Sequence, residues 1–230
     1  MKVGAVIIAR YNSTRLYGKV LKELHGIPAI EHTYNRLLQV LTPEQITIAT
    51  SDQPTDDPII EFAKKKGWNV FRGSLDNVAE RFLEASRLMK WDYAIRTNGD
   101  NIFIDLDCLR KMYTVAQKGT TDFLTNVKDR TYPKGMSIEI VRTDFYANCY
   151  AKLVGNPEYE EHVTLALYQN NWGLSEYFYN NKVTELQGIQ LALDTSEDFK
   201  RIDQLIEILG VSYENYSLED IKIAYEQLER

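Results

Sequence analysis

Cysteine is scarce in this sequence: Cys108 and Cys149 are the only two, far apart and without metal-ligand spacing. Neither a disulfide framework nor a thiolate metal centre is expected, and the pair reads as reduced thiols of a cytoplasmic protein. No run of about 18 apolar residues occurs, so a transmembrane helix and a membrane partner are not expected. The opening VGAVIIA reads as a strand without a small-residue cleavage site, so a secretory signal is not expected either. Internal repeats and low-complexity linkers are missing. Net positive charge is lacking too: 27 Lys and Arg against 33 Asp and Glu give −6. That balance argues against binding along a nucleic-acid backbone.

What is present suits a folded α/β chain. Of 230 residues, 44% are hydrophobic and 26% charged, enough for a sizeable core and too apolar for disorder. The charge is uneven. Lys2, Arg10, Arg15, Lys19 and Lys22 crowd the first 25 residues, opposed only by Glu23. A basic island on an acidic chain suggests a confined anion such as a polyphosphate; on charge alone, a solvated loop explains it equally well.

The first 125 residues alternate short β-rich runs with amphipathic helical patterns. Val3 to Ala9 is a nearly continuous apolar run, as a buried parallel strand requires. Ile27, Ile30, Tyr34, Leu37, Leu38 and Leu41 then share one helical face. Strands are expected at Ile46–Thr50, Asn69–Phe71 and Tyr93–Thr97, with helices at Pro58–Lys66, Asp76–Met89 and Asp105–Gln117. This βαβαβαβα order predicts a mainly parallel, Rossmann-like sheet with helices on both faces. Ligands of such sheets sit beyond the carboxyl ends of the strands. Polar clusters fall there: Arg10–Lys19, Ser51–Asp52, Arg72–Asp76 and Asn98–Asn101.

From about 130 to 185 the pattern changes. Aromatics accumulate, among them Tyr132, Tyr146, Tyr168, Tyr177 and Tyr179, either as the core of a small lobe or as a homodimer surface. A strand is expected at Ser137–Val141 and helices near Thr143–Leu153 and Glu160–Gln169. The main sheet resumes at Gln190–Leu193, followed by an amphipathic helix and a last helix over the final twenty or so residues. We read residues 1–230 as one domain: a nucleotide-binding part over 1–125, an acceptor and dimerisation lobe near 130–185, and a return over 186–230.

The segment AVIIARYNSTRLYGKVL joins a buried strand to a loop carrying Arg10, Ser13, Thr14, Arg15, Gly18 and Lys19. Backbone amides, hydroxyls and three cations within ten residues suit a triphosphate. It is not a Walker A loop: Ser13 takes the place of the first glycine, and Val20 that of the magnesium-binding Ser/Thr. The Rossmann glycine fingerprint is absent as well.

ARYNSTRLYGKVL resembles the A-R-x-x-S-x-R-L-P-G-K signature of the cytidylyltransferases that make CMP-activated acidic sugars, such as CMP-Kdo and CMP-nonulosonate synthetases. Within them it is most similar to the spore-coat polysaccharide biosynthesis F-like group. The resemblance continues through IATSDQPTDDPI, VFRGSLDNVAERF, IRTNGDNIFID, YPKGMSIEIV, EEHVT and LALDTSEDF, nearly the whole chain in order. Two positions depart from it: Tyr17 stands where proline is usual, and Asn101–Ile102 replace a Cys-Pro or Glu-Pro pair. The second lies near the expected metal and acceptor and leaves the sugar open.

The resemblance implies a Mg²⁺-dependent transfer of CMP from CTP to a small acidic sugar or sugar phosphate. It implies nucleotide contacts from Ala9, Arg10, Ser13, Arg15, Lys19, Ser51, Asp52, Arg72, Gly73 and Asn98, with Arg10, Arg15, Lys19 and Asp100 catalytic. Asp100 ends a strand after Asn98–Gly99 and Asp194 follows Leu191–Leu193; two aspartates at adjacent strand ends suit one Mg²⁺, with phosphate oxygens and water completing its octahedron. Read without the family, Asp194 is a helix N-cap. Arg81 reads equally as a salt-bridge partner of Asp76 or Glu80 and as a phosphate ligand. Tyr132, Lys134, Glu139 and His162 are the expected acceptor residues. Asp105–Leu106–Asp107 spells a DxD but opens a helix, where acidic residues are favoured. A metal-dependent glycosyltransferase using that DxD, and a catalytically silent sugar-nucleotide binder, are the alternative readings.

Overall fold

The structure is a computed structural model, which describes residues 1–152, 154–210 and 216–229. Its frame is a seven-stranded sheet. The opening strand β1 (Val3–Ile8) is followed by a two-residue hairpin, β2 (Glu23–Leu24) and β3 (Ile27–Pro28), and by helix α1 (Ala29–Leu37). Then come β4 (Ile46–Ser51), α2 (Asp57–Lys66), β5 (Asn69–Gly73), α3 (Val78–Leu88), β6 (Tyr93–Asn98) and α4 (Leu106–Lys118). The remainder comprises β7 (Phe123–Thr125), β8 (Glu139–Arg142), α5 (Thr143–Tyr150), α6 (Pro157–Glu161), α7 (Leu165–Gln169), β9 (Ser175–Tyr177), α8 (Ser196–Leu209) and α9 (Leu218–Leu228). Strand order is β5-β4-β1-β6-β8-β7-β9.

The strands from β5 to β6 are mutually parallel, whereas β8 runs antiparallel to both β6 and β7. This makes a mainly parallel α/β sheet with one reversed strand. Successive residues of β1 feed opposite faces, because side chains alternate along a strand. Val3, Ala5 and Ile7 join Ile30, Leu37, Ile59, Leu109 and Met112 beneath α1, α2 and α4. Val6 joins Phe82, Leu83, Trp91, Tyr146 and Leu167 beneath α3, α5 and α7. Burial of each such Leu, Ile or Phe contributes about 1.5–3 kcal/mol. A third cluster, built from Phe103, Leu191, Leu193, Ile202, Leu205 and Ile221, fastens α8 and α9 to the site end of the sheet.

Several elements differ from the sequence expectation. The Glu160–Gln169 helix is broken into α6 and α7, with His162 capping the first in a non-helical conformation. The Thr143–Leu153 helix ends at Tyr150, and Leu153 lies outside the described residues. The final helix occupies Leu218–Leu228, while 211–215 and 230 of the segment assigned to it lie outside them. Gln190–Leu193 does not rejoin the sheet as a strand; it makes one isolated bridge, Lys134 to Gln190. Gly135 permits that approach. Its φ is +92°, and a Cβ there would stand 2.4 Å from the Ala192 nitrogen, so only glycine fits. Among the described residues no helix is long and apolar enough to cross a membrane. Both cysteines are buried and free, and burial pushes the Cys108 thiol up to about 12.

Candidate active site

The loop after β1 is folded by its own backbone. Ser13 and Gly18 nitrogens both donate to the Tyr11 carbonyl, at 3.0 Å each, and Gly18 turns with φ +67° to start a short 3-10 turn at Lys19. Asp56 fastens the loop to the next strand. Its buried carboxylate accepts from the Tyr11 nitrogen (2.7 Å), the Ser51 nitrogen (2.9 Å), the Ser51 hydroxyl (2.5 Å) and the Thr50 hydroxyl (2.8 Å). Burial alone would raise its pKa, but these donors together hold it below the ordinary value.

Lys19 therefore points back across the carboxyl ends of β1 and β6. Its Nζ lies 2.5 Å from Asp100 Oδ2 and 3.0 Å from Asp194 Oδ1. Burial opposes the ammonium, but the attraction of Asp100 and Asp194 outweighs it and raises the lysine's pKa. Arg15 Nη2 reaches the same Asp194 oxygen at 3.3 Å from an exposed position. A cleft of about 400 Å³ opens here, lined by Ala9, Arg10, Arg15, Lys19, Asn98, Asp100, His162 and Asp194 among others.

Each aspartate is placed by its neighbours. Gly99, just before Asp100, packs closely: a Cβ there would stand 3.3 Å from the Ala9 Cβ and 3.4 Å from Ile30. Asn101 donates to the Thr97 hydroxyl and the Ser137 carbonyl, both at 3.2 Å, and so ties down the turn that carries Asp100. Asp194 is not the helix N-cap. That position belongs to Thr195, in a capping box with Asp198, which leaves the Asp194 carboxylate for the cleft. The two carboxylates suit a divalent cation: oxygens from both already converge on one cationic centre, the Lys19 ammonium. Among the described residues no group of three or more His, Cys, Asp or Glu is arranged to hold a metal. Two carboxylates completed by ligand oxygens suit Mg²⁺ better than Ca²⁺.

Other expected residues lie elsewhere. Ser13 is engaged in the loop turn and does not line the cleft. Ser51 is buried with its hydroxyl on Asp56, and the Asp52 nitrogen continues the pairing with the Gly73 carbonyl at 2.8 Å. Arg72 is spent on Asp57 (2.8 Å) and on the Ser51 and Gln53 carbonyls. Ser51, Asp52, Arg72 and Gly73 thus form the outer end of β4 and β5, beside the cleft and not in its wall. Tyr132 faces a different cavity of about 360 Å³, shared with Asp105 and Asp107. There Asp105 caps α4, accepting from the Asp107 nitrogen at 3.0 Å, so the DxD stands apart from Asp100 and Asp194. Lys134 is exposed, and its main chain bridges to Gln190. Glu139 lines a chamber of about 600 Å³ that shares Arg96, Ser137 and His162 with the cleft.

Two further arginines line the site: Arg81, for which a salt bridge and a phosphate contact are equal expectations, and Arg96, which the sequence does not single out. Arg81 makes no ion pair with Asp76 or Glu80. Its Nη1 donates to the Ser74 carbonyl at 2.6 Å, its enclosed Nε meets no acceptor, and its side chain lines the cleft. Arg96, in the middle of β6, lines both cavities. A charged residue inside an apolar strand is the signal that could have found it.

Comparison with known proteins agrees with this arrangement. The cytidylyltransferase family model matches residues 5–228. The spore coat polysaccharide biosynthesis protein SpsF of Bacillus subtilis is 31% identical over 219 residues, covering 89% of this chain and 86% of that protein. A cytidylyltransferase structure from Leptospira borgpetersenii superposes with a TM-score of 0.90 at 28% identity, over 100% of this chain and 96% of the other. A CMP:2-keto-3-deoxy-manno-octonic acid synthetase solved with CTP gives a TM-score of 0.66 at 20% identity, over 90% and 99%; at that identity the likeness carries the fold. The chain belongs to the cytidylyltransferase family of nucleotidyltransferases.

Proposed function

We propose that this protein transfers the cytidylyl group of CTP to an acidic sugar, releasing pyrophosphate, in the biosynthesis of a surface polysaccharide. One observation carries the reading: a loop lysine and two strand-end aspartates meet at the mouth of a cleft that Arg10 and Arg15 also line. The polysaccharide setting is supported by the likeness to SpsF, and CTP by the family.

Arg10, Arg15 and Lys19 bind the β- and γ-phosphates and offset their charge. Asp100 and Asp194 hold Mg²⁺, which supplies further neutralisation of the triphosphate when bound. An acceptor oxygen entering from the neighbouring chamber forms a bond to the α-phosphorus while the bond from that phosphorus to the β-bridging oxygen breaks. Pyrophosphate leaves with the electron pair. The acceptor's hydroxyl proton passes to His162, an exposed imidazole on the boundary of both cavities, and then to water. The acceleration comes from positioning and charge stabilisation, with no covalent intermediate on the protein.

The test is a thermal-shift comparison of CTP, UTP, GTP and ATP, each with Mg²⁺. CTP should raise the melting temperature most, and Lys19→Ala should abolish the increment. A larger shift with a purine nucleotide would overturn the assignment of the donor.

A further inference from the structure

Asp194 reaches the cleft on a stretch of chain that the sheet does not hold. Among the described residues, 187–195 belong to no strand or helix and make one isolated bridge, Lys134 to Gln190. There the Lys134 nitrogen donates to the Ile189 carbonyl and the Leu191 nitrogen to the Lys134 carbonyl, both at 2.9 Å. That contact grips the upstream end from one side. Asp194, further on, must still keep one oxygen at the point where Lys19 and Arg15 both arrive.

Two residues of α8 hold the stretch from the other side. Asp198 is 6% exposed, and its two oxygens have separate duties. Oδ2 accepts from the nitrogen and the hydroxyl of Thr195, at 3.0 Å each, and Thr195 directly follows Asp194. Oδ1 pairs with Arg201 Nη2, one turn further along the helix. The same Nη2 donates to the Gln190 carbonyl at 3.2 Å, upstream of Asp194. A helix cap needs only the contacts to Thr195. The others make a brace that runs from Thr195 through Asp198 and Arg201 to Gln190, and so ties down the chain on both sides of Asp194. Its central link joins two charged groups, where hydrogen bonds are strong and directional. Neither Asp198 nor Arg201 lines the cleft, so any effect on the site passes through the segment they hold.

Resting on the reading of Asp194 as a metal ligand, we infer that Asp198 and Arg201 are its positioning residues. They hold the Asp194 carboxylate at its station opposite Asp100, and thereby set the affinity of the two aspartates for a divalent cation. Groups that fix a metal ligand in place change metal affinity about 10–100-fold when they are removed. The role differs from that of a helix cap, which would govern stability and leave the metal untouched.

The protein is titrated with Mn²⁺ alone and the bound metal is followed by electron paramagnetic resonance. Arg201→Gln should weaken Mn²⁺ binding about tenfold, and Arg201→Lys, which retains a cationic donor, should recover part of the loss. Asp198→Asn keeps an oxygen for the Thr195 nitrogen, and hence the cap, but surrenders the ion pair. It should weaken Mn²⁺ binding as much as Arg201→Gln does, and the two together no further, because they act as one unit. Added to Asp194→Asn, the Arg201→Gln change should have no effect on Mn²⁺ at all. Melting curves of the same variants separate the brace from general stability. A lower melting temperature with unchanged Mn²⁺ affinity would overturn the inference, as would an Arg201→Gln effect that persists undiminished beside Asp194→Asn. Asp194→Asn binding Mn²⁺ as tightly as the parent would instead overturn the metal assignment beneath it.

Discussion

Lys19 Nζ stands 2.5 Å from Asp100 Oδ2, with both side chains largely enclosed. The ammonium of the triphosphate loop thus neutralises one of the two carboxylates proposed to hold the metal, and Asp194 completes the contact at 3.0 Å. Lysine and divalent cation compete for the same oxygens. Lys19→Gln should therefore bind Mn²⁺ alone more tightly, by about tenfold or ~1.4 kcal/mol, while losing most of its affinity for the nucleotide. A Mn²⁺ titration followed by electron paramagnetic resonance measures the first effect; weaker Mn²⁺ binding would contradict the competition. The pKa of Lys19 is raised in the folded state. Its stabilising contribution is thus complete below the ordinary lysine value of 10.5 and is lost only as pH rises through the higher folded value. It should add no pH dependence near neutrality.

Asp100→Asn and Asp194→Asn keep the shape of the site and remove its negative charge. Each should reduce pyrophosphate release by about 10³-fold, ~4 kcal/mol of barrier, with the melting temperature little changed. Steady-state release beside a melting curve reads both. Activity within tenfold of the parent would remove that aspartate from the metal site.

Asp56 ties the triphosphate loop to β4 through four donors. Asp56→Ala should cost about 2–3 kcal/mol, since several hydrogen bonds to one ionised group are lost at a buried position. Its folded pKa is depressed, so its contribution is present above the ordinary carboxylate range and disappears as pH falls through the folded value. Urea unfolding across the acid range should show the stability gap between parent and variant closing as pH drops.

Gly135 lets the chain pass against Leu191–Ala192, just ahead of Asp194. Gly135→Ala adds one methyl group at a positive φ and against backbone. It should destabilise by about 1–3 kcal/mol and lower activity by more than the stability loss explains, because Asp194 is displaced. Denaturant midpoints and turnover measured below the melting range separate the two. Unchanged turnover would mean that Asp194 is held independently.

Much of this was legible along the chain. The run from Val3 to Ile8 announces a strand buried on both faces, and the cations after it fall at its carboxyl end. Asp100 follows from the strand–Asn–Gly–Asp sequence. Other features depend on pairing that one sequence does not display. Arg96 and Glu139 face each other only because β8 runs antiparallel to β6, and helical or alternating periodicity does not encode that register. β7 and β9 are three residues each, too short for periodicity to reveal. The Gln190–Leu193 run reads as a strand because it is apolar, yet Leu191 and Leu193 serve the cluster beneath α8 and α9 while Ala192 lines the cleft. Ser51 and Arg72 stand in a sequence suited to a nucleotide; their present partners, Asp56, Asp57 and backbone carbonyls, depend on how β4 and β5 pack and are not displayed along the chain.

The fate of the phosphorus atoms tests the central claim most directly. CTP labelled at the α-phosphate and, separately, at the γ-phosphate is incubated with the protein, Mg²⁺ and a panel of sugar acids that includes 3-deoxy-manno-octulosonate, N-acetylneuraminate and glucuronate. The α-label should move onto the sugar as a CMP conjugate, and the γ-label should appear in pyrophosphate. Retention of the α-label in CTP with every sugar acid, or its appearance in CDP with the γ-label in inorganic phosphate, would contradict cytidylyl transfer.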